Sequence, residues 1–432
     1  MIQIKLPQKT KNSNLIKLHL FSIILFLSIH CHKNQSSDDN TKLGIIQYMR
    51  NATITVSAPS NVTTSSYSIG GTISGLISTG LVLQNNGADD LSISSGLTSF
   101  TFATKVNGAY AVSIKTQPTG LSCTLTNASG TATANITNIS LTCISDGSSW
   151  TGRTMPSSAP WKAITYANGT FVAIAGGGSS SNVAATSTDG INWTARTLSQ
   201  SNNWMSITYG NGLFVAVAGG GVATNAATTS PDGINWTTRA LSATVGWQSV
   251  TFGNGLFVAV SGPNTAASYS SDGINWTAST LPSSTSWNCV TYGNGMFVTV
   301  ASTGTNAATS TDGINWTART LPASGWWQSV IYGNGVFVAV IASPGTVAAS
   351  STDGINWTAR TLPSSVAYSS SAYANGIFVI TPNAGSVAAS SSNGTTWTNR
   401  TLPSSTSWTS VTYGNGIFVA IASGGTIAAT SP

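Results

Sequence analysis

Glutamate is absent from the 432-residue sequence, and only 6% of its residues carry a charge. All three histidines, His19, His30 and His32, lie within the first 32 residues. The rest of the chain therefore lacks the imidazole that a catalytic triad, a general base near neutral pH or a usual zinc site would need. On these grounds we predict that the protein is not an enzyme and that it holds no metal and no cofactor.

An excess of charge of one sign is missing as well. Once the lysines of the leader are set aside, twelve basic residues stand against ten acidic ones, and they are scattered along the chain. So small an excess does not favour nucleic acid as a partner. We also expect the protein to be a monomer. Low charge combined with abundant β-branched, aromatic and turn residues is typical of an all-β protein.

Residues 1–31 have the composition of an export signal. Residues 1–17 are polar and basic, and Leu18 to Ile29 form a run of twelve mostly apolar residues before Cys31. Such a run is short for a membrane span and has the form of a secretory signal. Residues 32–60 then form a polar tether. A simple signal peptide cleaved nearby and an uncleaved signal anchor are the alternatives.

The box Leu27-Ser28-Ile29-His30-Cys31 resembles the signal of a bacterial lipoprotein. The resemblance implies that Cys31 is acylated and becomes the mature N-terminus. It also implies that the protein contacts the membrane through its lipid anchor only, at the outer membrane or the cell surface.

Residues 61–144 alternate short apolar runs with turns, which predicts a small β-sandwich. Because disulfides persist after export, Cys123 and Cys143 are the natural pair, whereas Cys289 is expected to be a buried spare thiol. The strings GLVLQNNGADDLSIS and TQPTGLSCTLTNASG resemble an immunoglobulin-like module of bacterial surface proteins. That resemblance implies that the module acts as a spacer and carries out no reaction.

One heptapeptide, Ser187-Thr188-Asp189-Gly190-Ile191-Asn192-Trp193, recurs almost unchanged to the end of the chain. Its tryptophan returns at intervals of 43, 43, 40, 40, 41 and 40 residues, at Trp150, Trp193, Trp236, Trp276, Trp316, Trp357 and Trp397. A period near 40 with four short runs per repeat is typical of a β-propeller blade. Asn-Gly supplies the turn between the first two runs, and Asp-Gly the turn between the last two.

The two ends of the repeat region complement each other. Ser431-Pro432 stands where another Asp-Gly would follow, and residues 146–150 supply that missing piece. We therefore predict that residues 145–432 form a seven-bladed β-propeller of about 41-residue repeats, whose last blade is completed by the N-terminal strand.

The heptapeptide resembles the Asp-box of BNR repeats, which occur in sialidases, sortilin-type receptors and the photosystem II assembly propeller. The resemblance covers residues 146–432 and implies that the box is structural and lies opposite the binding surface. The box aspartates are Asp146, Asp189, Asp232, Asp272, Asp312 and Asp353.

Length variation within the repeats falls between the second and third runs, which places the candidate binding loops on the other face. The candidate residues there are Gly176, Ser179, Gly219, Thr224, Pro263, Asn264, Trp326 and Pro344. Trp326 is the one tryptophan outside the repeated positions, and it could stack on a ligand.

Taken together, these features favour a surface-tethered module that binds an extracellular protein or a glycan. One alternative is a sialidase-like glycoside hydrolase, which would need paired carboxylates or a tyrosine with a carboxylate partner. Another is a structural surface protein with no specific ligand. The sequence does not distinguish a structural surface protein from a binding module, because uniform loops rich in Gly, Ser and Ala suit both.

Overall fold

The computed structural model describes residues 65–431, and these residues form an all-β structure of nine four-stranded sheets. The predicted signal, the lipidation site Cys31 and the tether lie outside the described residues. Within the described part, no helix has the length and apolar character needed to cross a membrane.

Two sheets precede the repeats and share one apolar core. The first has the order β4-β1-β8-β6 and the second β3-β2-β5-β7, and the β1–β8 pairing is parallel. Cys123 and Cys143 lie directly opposite each other on β6 and β8 and are joined by a disulfide. The strands are β1 (Ile69–Ser74), β2 (Leu81–Asn85), β3 (Asp89–Ile93), β4 (Ser99–Thr101), β5 (Gly108–Thr116), β6 (Leu121–Thr126), β7 (Ser129–Ala132) and β8 (Ile136–Ser145).

The other seven sheets are antiparallel, and six of them consist of four consecutive strands. In the seventh, β9 (Thr151–Thr154) pairs with the last strand of the chain.

The first three of these sheets are β10 (Trp161–Ala167), β11 (Thr170–Ala175), β12 (Ser181–Ser187) and β13 (Thr194–Asn202); β14 (Trp204–Gly210), β15 (Leu213–Ala218), β16 (Thr224–Ser230) and β17 (Thr237–Val245); and β18 (Trp247–Gly253), β19 (Leu256–Ser261), β20 (Asn264–Ser270) and β21 (Thr277–Thr285). The next two are β22 (Trp287–Gly293), β23 (Met296–Ala301), β24 (Asn306–Ser310) and β25 (Thr317–Thr320); and β26 (Trp327–Gly333), β27 (Val336–Ile341), β28 (Val347–Ser351) and β29 (Thr358–Thr361). The last two are β30 (Tyr368–Ala374), β31 (Ile377–Pro382), β32 (Val387–Ser391) and β33 (Thr398–Thr401); and β34 (Trp408–Gly414), β35 (Ile417–Ala422) and β36 (Ile427–Ser431) with β9.

The hairpin between the first two strands of each sheet is fixed by its turn residues. Asn211 has a φ of 46° and Gly212 a φ of 80°, and both central positions of a type I′ turn require such positive values. Asn tolerates this region better than other residues with a side chain, and Gly enters it without steric cost.

Large aromatic side chains pack the sheets against one another. The aromatic residue that begins each first strand is completely buried; these residues are Trp161, Trp204, Trp247, Trp287, Trp327, Tyr368 and Trp408. The second strands are buried along almost their whole length, which explains why their sequences are nearly continuous apolar runs.

The series of sheets returns on itself. Each first strand contacts the first strand of the next sheet, and β34 contacts β10 in the same way. The side chain of Tyr166 in β10 lies against Gly414 in β34, where a β-carbon would come within 2.1 Å of the ring. One apolar core accordingly contains residues of both β10 and β35, including Trp161 and Val419.

Candidate functional site

The turns between third and fourth strands, which we call the box turns, are held by a repeated hydrogen-bond network. Ser187 Oγ donates to Asp189 Oδ1 at 2.9 Å and accepts from the Gly190 amide at 2.8 Å. The same carboxylate oxygen accepts from the amides of Ile191 and Asn192, each at 2.8 Å. The aspartate is thus occupied by its own turn, which suits a structural role.

A lowered pKa holds five of the box carboxylates in their charged form, those of Asp189, Asp232, Asp272, Asp312 and Asp353. At Asp272, the backbone amides of Asn275 and Ile274 donate to the carboxylate, and these bonds lower its pKa from the ordinary value of 3.8. A group with so low a pKa is a poor proton donor or acceptor near neutral pH.

Box turns and Asn-Gly turns lie on one face, which we call the box face. Asn211 Nδ2 donates to the carbonyl oxygen of Ser271 at 2.7 Å, and Asn294 Nδ2 to that of Thr352 at 3.4 Å. Each bond joins the Asn-Gly turn of one sheet to the box turn of the following sheet.

The connections between second and third strands lie on the opposite face, which we call the loop face. Two candidate loops there are tied to the next sheet rather than free. The Gly178 amide donates to Asn203 Oδ1 at 2.7 Å, and Asn203 Nδ2 donates to the Gly219 carbonyl at 2.8 Å. Gly176 and Gly219 each form a bridge to the first strand of the next sheet, at Trp204 and Trp247.

Two further candidates use their side chains to hold their own loops. Asn264 Oδ1 accepts from Ser261 Oγ at 2.6 Å and from the Ala266 amide at 2.8 Å. Thr224 Oγ1 accepts from the Ala226 amide at 3.1 Å. Their side-chain oxygens therefore hold the loops to which they belong.

Large apolar side chains are exposed on both faces: Trp326 and Val222 on the loop face, and the box-turn isoleucines Ile191, Ile234, Ile274 and Ile314 on the box face. Trp326 is 61% exposed and immediately precedes the buried Trp327 of β26. Val222, at the tip of the loop that begins at Gly219, is 54% exposed. Ser179, Pro263 and Pro344 are exposed on the same face.

A cavity of about 140 Å³ lies where the seven first strands meet, at their loop-face ends. The position after the buried aromatic residue lines it in every sheet, with Lys162, Met205, Gln248, Asn288, Gln328, Ser369 and Thr409. We call it the axial cavity.

Two glycines of the long loops lie over one side of the axial cavity. A β-carbon on Gly177 would come within 2.8 Å of the Lys162 side chain, and one on Gly220 within 2.4 Å of Met205. The loops thus hold these two side chains in place, and burial lowers the pKa of the Lys162 amine from its ordinary 10.5.

Lys162 is the functional candidate that the sequence reasoning missed. It is the one lysine in residues 145–432, and it stands where the other repeats have Met, Gln, Asn, Ser or Thr. An alignment of the repeats on their first aromatic residue would have singled it out. Cys289 lies two residues after its aromatic, lines the same cavity, and has a thiol whose pKa is raised by burial.

Among residues 65–431, no three His, Cys, Asp or Glu side chains are grouped so that they could hold a metal ion.

Comparison with known proteins supports a β-propeller domain. Residues 230–360 match the family model described as the DUF6242 beta propeller domain. A structure of catalytically inactive virginiamycin B lyase from Staphylococcus aureus with quinupristin is similar, with a TM-score of 0.58 and 11% sequence identity, covering 66% of this chain and 99% of that chain. No protein with a curated description is significantly similar in amino-acid sequence.

Two structures of YCF48 are also similar. One, described as bound to D1 peptide, has a TM-score of 0.51 at 16% identity and covers 65% of this chain and 96% of that chain. The other, from Cyanidioschyzon merolae, has a TM-score of 0.51 at 15% identity and covers 65% and 98%. At such identities these likenesses show the fold alone.

The prediction, made from composition, that this protein is not an enzyme is wrong. Virginiamycin B lyase is an enzyme, and its structure is similar to this one. A propeller of this kind is therefore compatible with catalysis, and the lack of histidine in the repeats does not exclude it. The similarity assigns no reaction to this chain.

Proposed function

We propose that this protein is an exported binding protein whose β-propeller presents its loop face to an extracellular protein or glycan. The observation that carries the proposal is the difference between the two faces. Box-face carboxylates are occupied by their own turns, whereas the loop face carries the exposed aromatic side chain of Trp326 and a polar cavity. Exposed aromatic groups beside polar recesses are typical of binding surfaces.

The proposal includes the architecture of the domain. We infer that the seven repeated sheets are seven blades of a closed propeller with BNR-type boxes. We also infer that the first two sheets are an immunoglobulin-like sandwich that serves as a spacer. The pairing of β9 with β36 and the contact of β34 with β10 support closure.

A protein partner has support from the comparisons. YCF48, which is similar in fold, is described as bound to a peptide. We propose that this chain likewise uses its propeller to hold a segment of another protein.

The test is a binding screen of residues 44–432 on arrays of extracellular proteins and glycans. Trp326→Ala is expected to weaken a specific signal by about 30-fold, because a buried aromatic contact at an interface commonly contributes about 2 kcal/mol. Val222→Ser should weaken it less. The matched control is Ile274→Ser, which removes an exposed apolar side chain from the box face.

An unchanged signal in Trp326→Ala, or an equal loss in Ile274→Ser, would show that the loop face is not the binding surface. Circular dichroism of each variant checks that the fold is intact.

We propose that export and membrane attachment proceed through Cys31. Cells given a labelled fatty acid should incorporate it into this protein, and Cys31→Ala should abolish the label and release the protein from membranes. Labelling that survives the substitution would show that the anchor lies elsewhere.

A further inference from the structure

Among residues 65–431, those that line the axial cavity include one cation and no carboxylate. Of its sixteen lining residues, Lys162 and Cys289 are the two with titratable side chains, and most of the others are amides, hydroxyls or small apolar groups. Burial keeps the Cys289 thiol neutral at physiological pH. A water needs roughly 15 Å³ of such space, so a cavity of about 140 Å³ takes a group of several heavy atoms.

Several polar groups of this lining already bond to the protein. Thr409 Oγ1 donates to the Trp161 carbonyl at 2.8 Å, and Asn288 Nδ2 donates to Gln328 Oε1 at 2.8 Å. The second bond uses the oxygen of Gln328, which leaves its amide nitrogen as the donating end of that side chain. Gln248 lines the same cavity and carries the same donor group.

The carboxylates of the repeats are remote from Lys162. Residues 145–432 contain six aspartates, and all of them stand in the box turns of the opposite face. Within residues 65–431 the one ion pair joins Lys115 to Asp90, in the first two sheets. An anion that entered the axial cavity would therefore meet an ammonium whose charge no carboxylate of residues 65–431 offsets.

We propose that the loop-face end of the axial cavity is a carboxylate-binding site, in which Lys162 supplies the charge and Gln248 and Gln328 supply amide donors. The inference rests on the proposed function and names the chemistry that the partner presents. That chemistry is an Asp, Glu or C-terminal carboxylate of a protein chain. The volume suits a carboxylate on a slender stem better than one on a hexuronic acid ring.

The experiment uses the full chain labelled with ¹³C at lysine Cε, and it follows the NMR signals as pH and ligand are varied. The signal that disappears in Lys162→Met is that of Lys162. This substitution introduces the residue that the next repeat carries at the same position, Met205, so we expect it to fold. Acetate and N-acetylglycine are the probes, with acetamide, inorganic phosphate and glucuronate as comparisons.

Acetate and N-acetylglycine should raise the pKa of Lys162, because a bound anion favours the ammonium form. Lys162→Met should weaken their binding at least about tenfold, and Lys162→Arg should retain most of it, since the charge remains. The signals of Lys105 and Lys115, which lie in the first two sheets, should not move with the ligand.

Three results would overturn the inference: no shift of Lys162 with either carboxylate, an equal shift with acetamide or phosphate, or tighter binding of glucuronate than of N-acetylglycine. The last would identify a sugar acid as the source of the carboxylate. Array binding that is lost in Trp326→Ala yet unaffected by Lys162→Met would leave the proposed function standing and remove this site from it.

Discussion

Single residues of two kinds, glycines with positive φ and the Asp or Asn of each box, set the local geometry of the repeats. Neither kind contributes mainly through burial. The glycines permit a backbone conformation, and the aspartates accept the amides of a tight turn. Their contributions can be measured one residue at a time.

Gly255→Ala is expected to destabilise the protein by about 1 kcal/mol. Gly255 has a φ of 76°, and a β-carbon there would meet nothing within 4 Å, so the cost is one of backbone conformation alone. Urea unfolding followed by tryptophan fluorescence measures it. Gly152→Ala is the control, because Gly152 lies in a strand and its β-carbon would make an ordinary 3.8 Å contact with Pro403. Equal effects of the two substitutions would contradict this account.

The box aspartates should make stability depend on acid pH. Backbone amides lower the folded-state pKa of Asp272 below 3.8, so its contribution is fully present above that value and is lost as pH falls through the lower folded pKa. Replacing Asp189, Asp232, Asp272, Asp312 and Asp353 by Asn should reduce the loss of stability between about pH 4 and pH 2.

Asn is a suitable replacement because Asn393 already accepts the amides of Thr395 and Thr396 at 2.9 Å in the sixth box turn. Some acid dependence should remain, since the hydrogen bond from Lys115 lowers the pKa of Asp90. Acid unfolding curves with the same slope before and after the replacement would rule out the box turns as the source of the acid dependence of stability.

At the scale of elements, the unfolding of the first two sheets and the unfolding of the repeats can be followed separately. All the tryptophans lie at residue 150 or later, so tryptophan fluorescence reports on the repeats. Cys123→Ala together with Cys143→Ala should destabilise the first two sheets by about 3 kcal/mol, since the bond closes a loop with a sequence separation of 20.

The measurement is unfolding by far-ultraviolet circular dichroism compared with unfolding by fluorescence. The circular dichroism curve of the variant should gain an earlier step from the first two sheets, while the fluorescence transition stays in place. A joint shift of both would show that the two parts unfold together.

Local features account for what could be predicted from the sequence. Asn-Gly dipeptides define tight hairpins through their φ angles, so they predict strands and faces without knowledge of the fold. The Asp-Gly turns differ from the predicted tight hairpin, because the one between β12 and β13 runs from Thr188 to Trp193 and is held by hydrogen bonds to Asp189. The axial cavity was not predicted, because its lining brings together residues about 40 positions apart that meet only when the sheets return on themselves. Thr224 and Asn264 were predicted as candidate binding residues from their place in the loops, and the sequence did not show that their side-chain oxygens accept from nearby backbone amides.

At the scale of the whole molecule, the seventh repeated sheet depends on both ends of the repeat region. A chain that begins at residue 155 lacks β9 and leaves β36 as an open edge, whereas one that begins at residue 146 keeps the pairing. We expect the shorter chain to melt at a lower temperature and to self-associate through the open edge. Scanning calorimetry and analytical ultracentrifugation test this, and equal melting of the two chains would show that the pairing contributes little.

The pairing of β9 with β36 also determines how the molecule responds to mechanical load. The first two sheets connect to the repeats through Ser145, and the first strand after that connection is β9. A pull on these sheets against a held propeller is therefore borne by the hydrogen bond between the Ser145 and Ser431 hydroxyls and by four residue pairs, from Thr151 with Thr430 to Thr154 with Ile427. These contacts with β36 are the point at which tension would first open the molecule, while the six sheets made of consecutive strands remain unloaded.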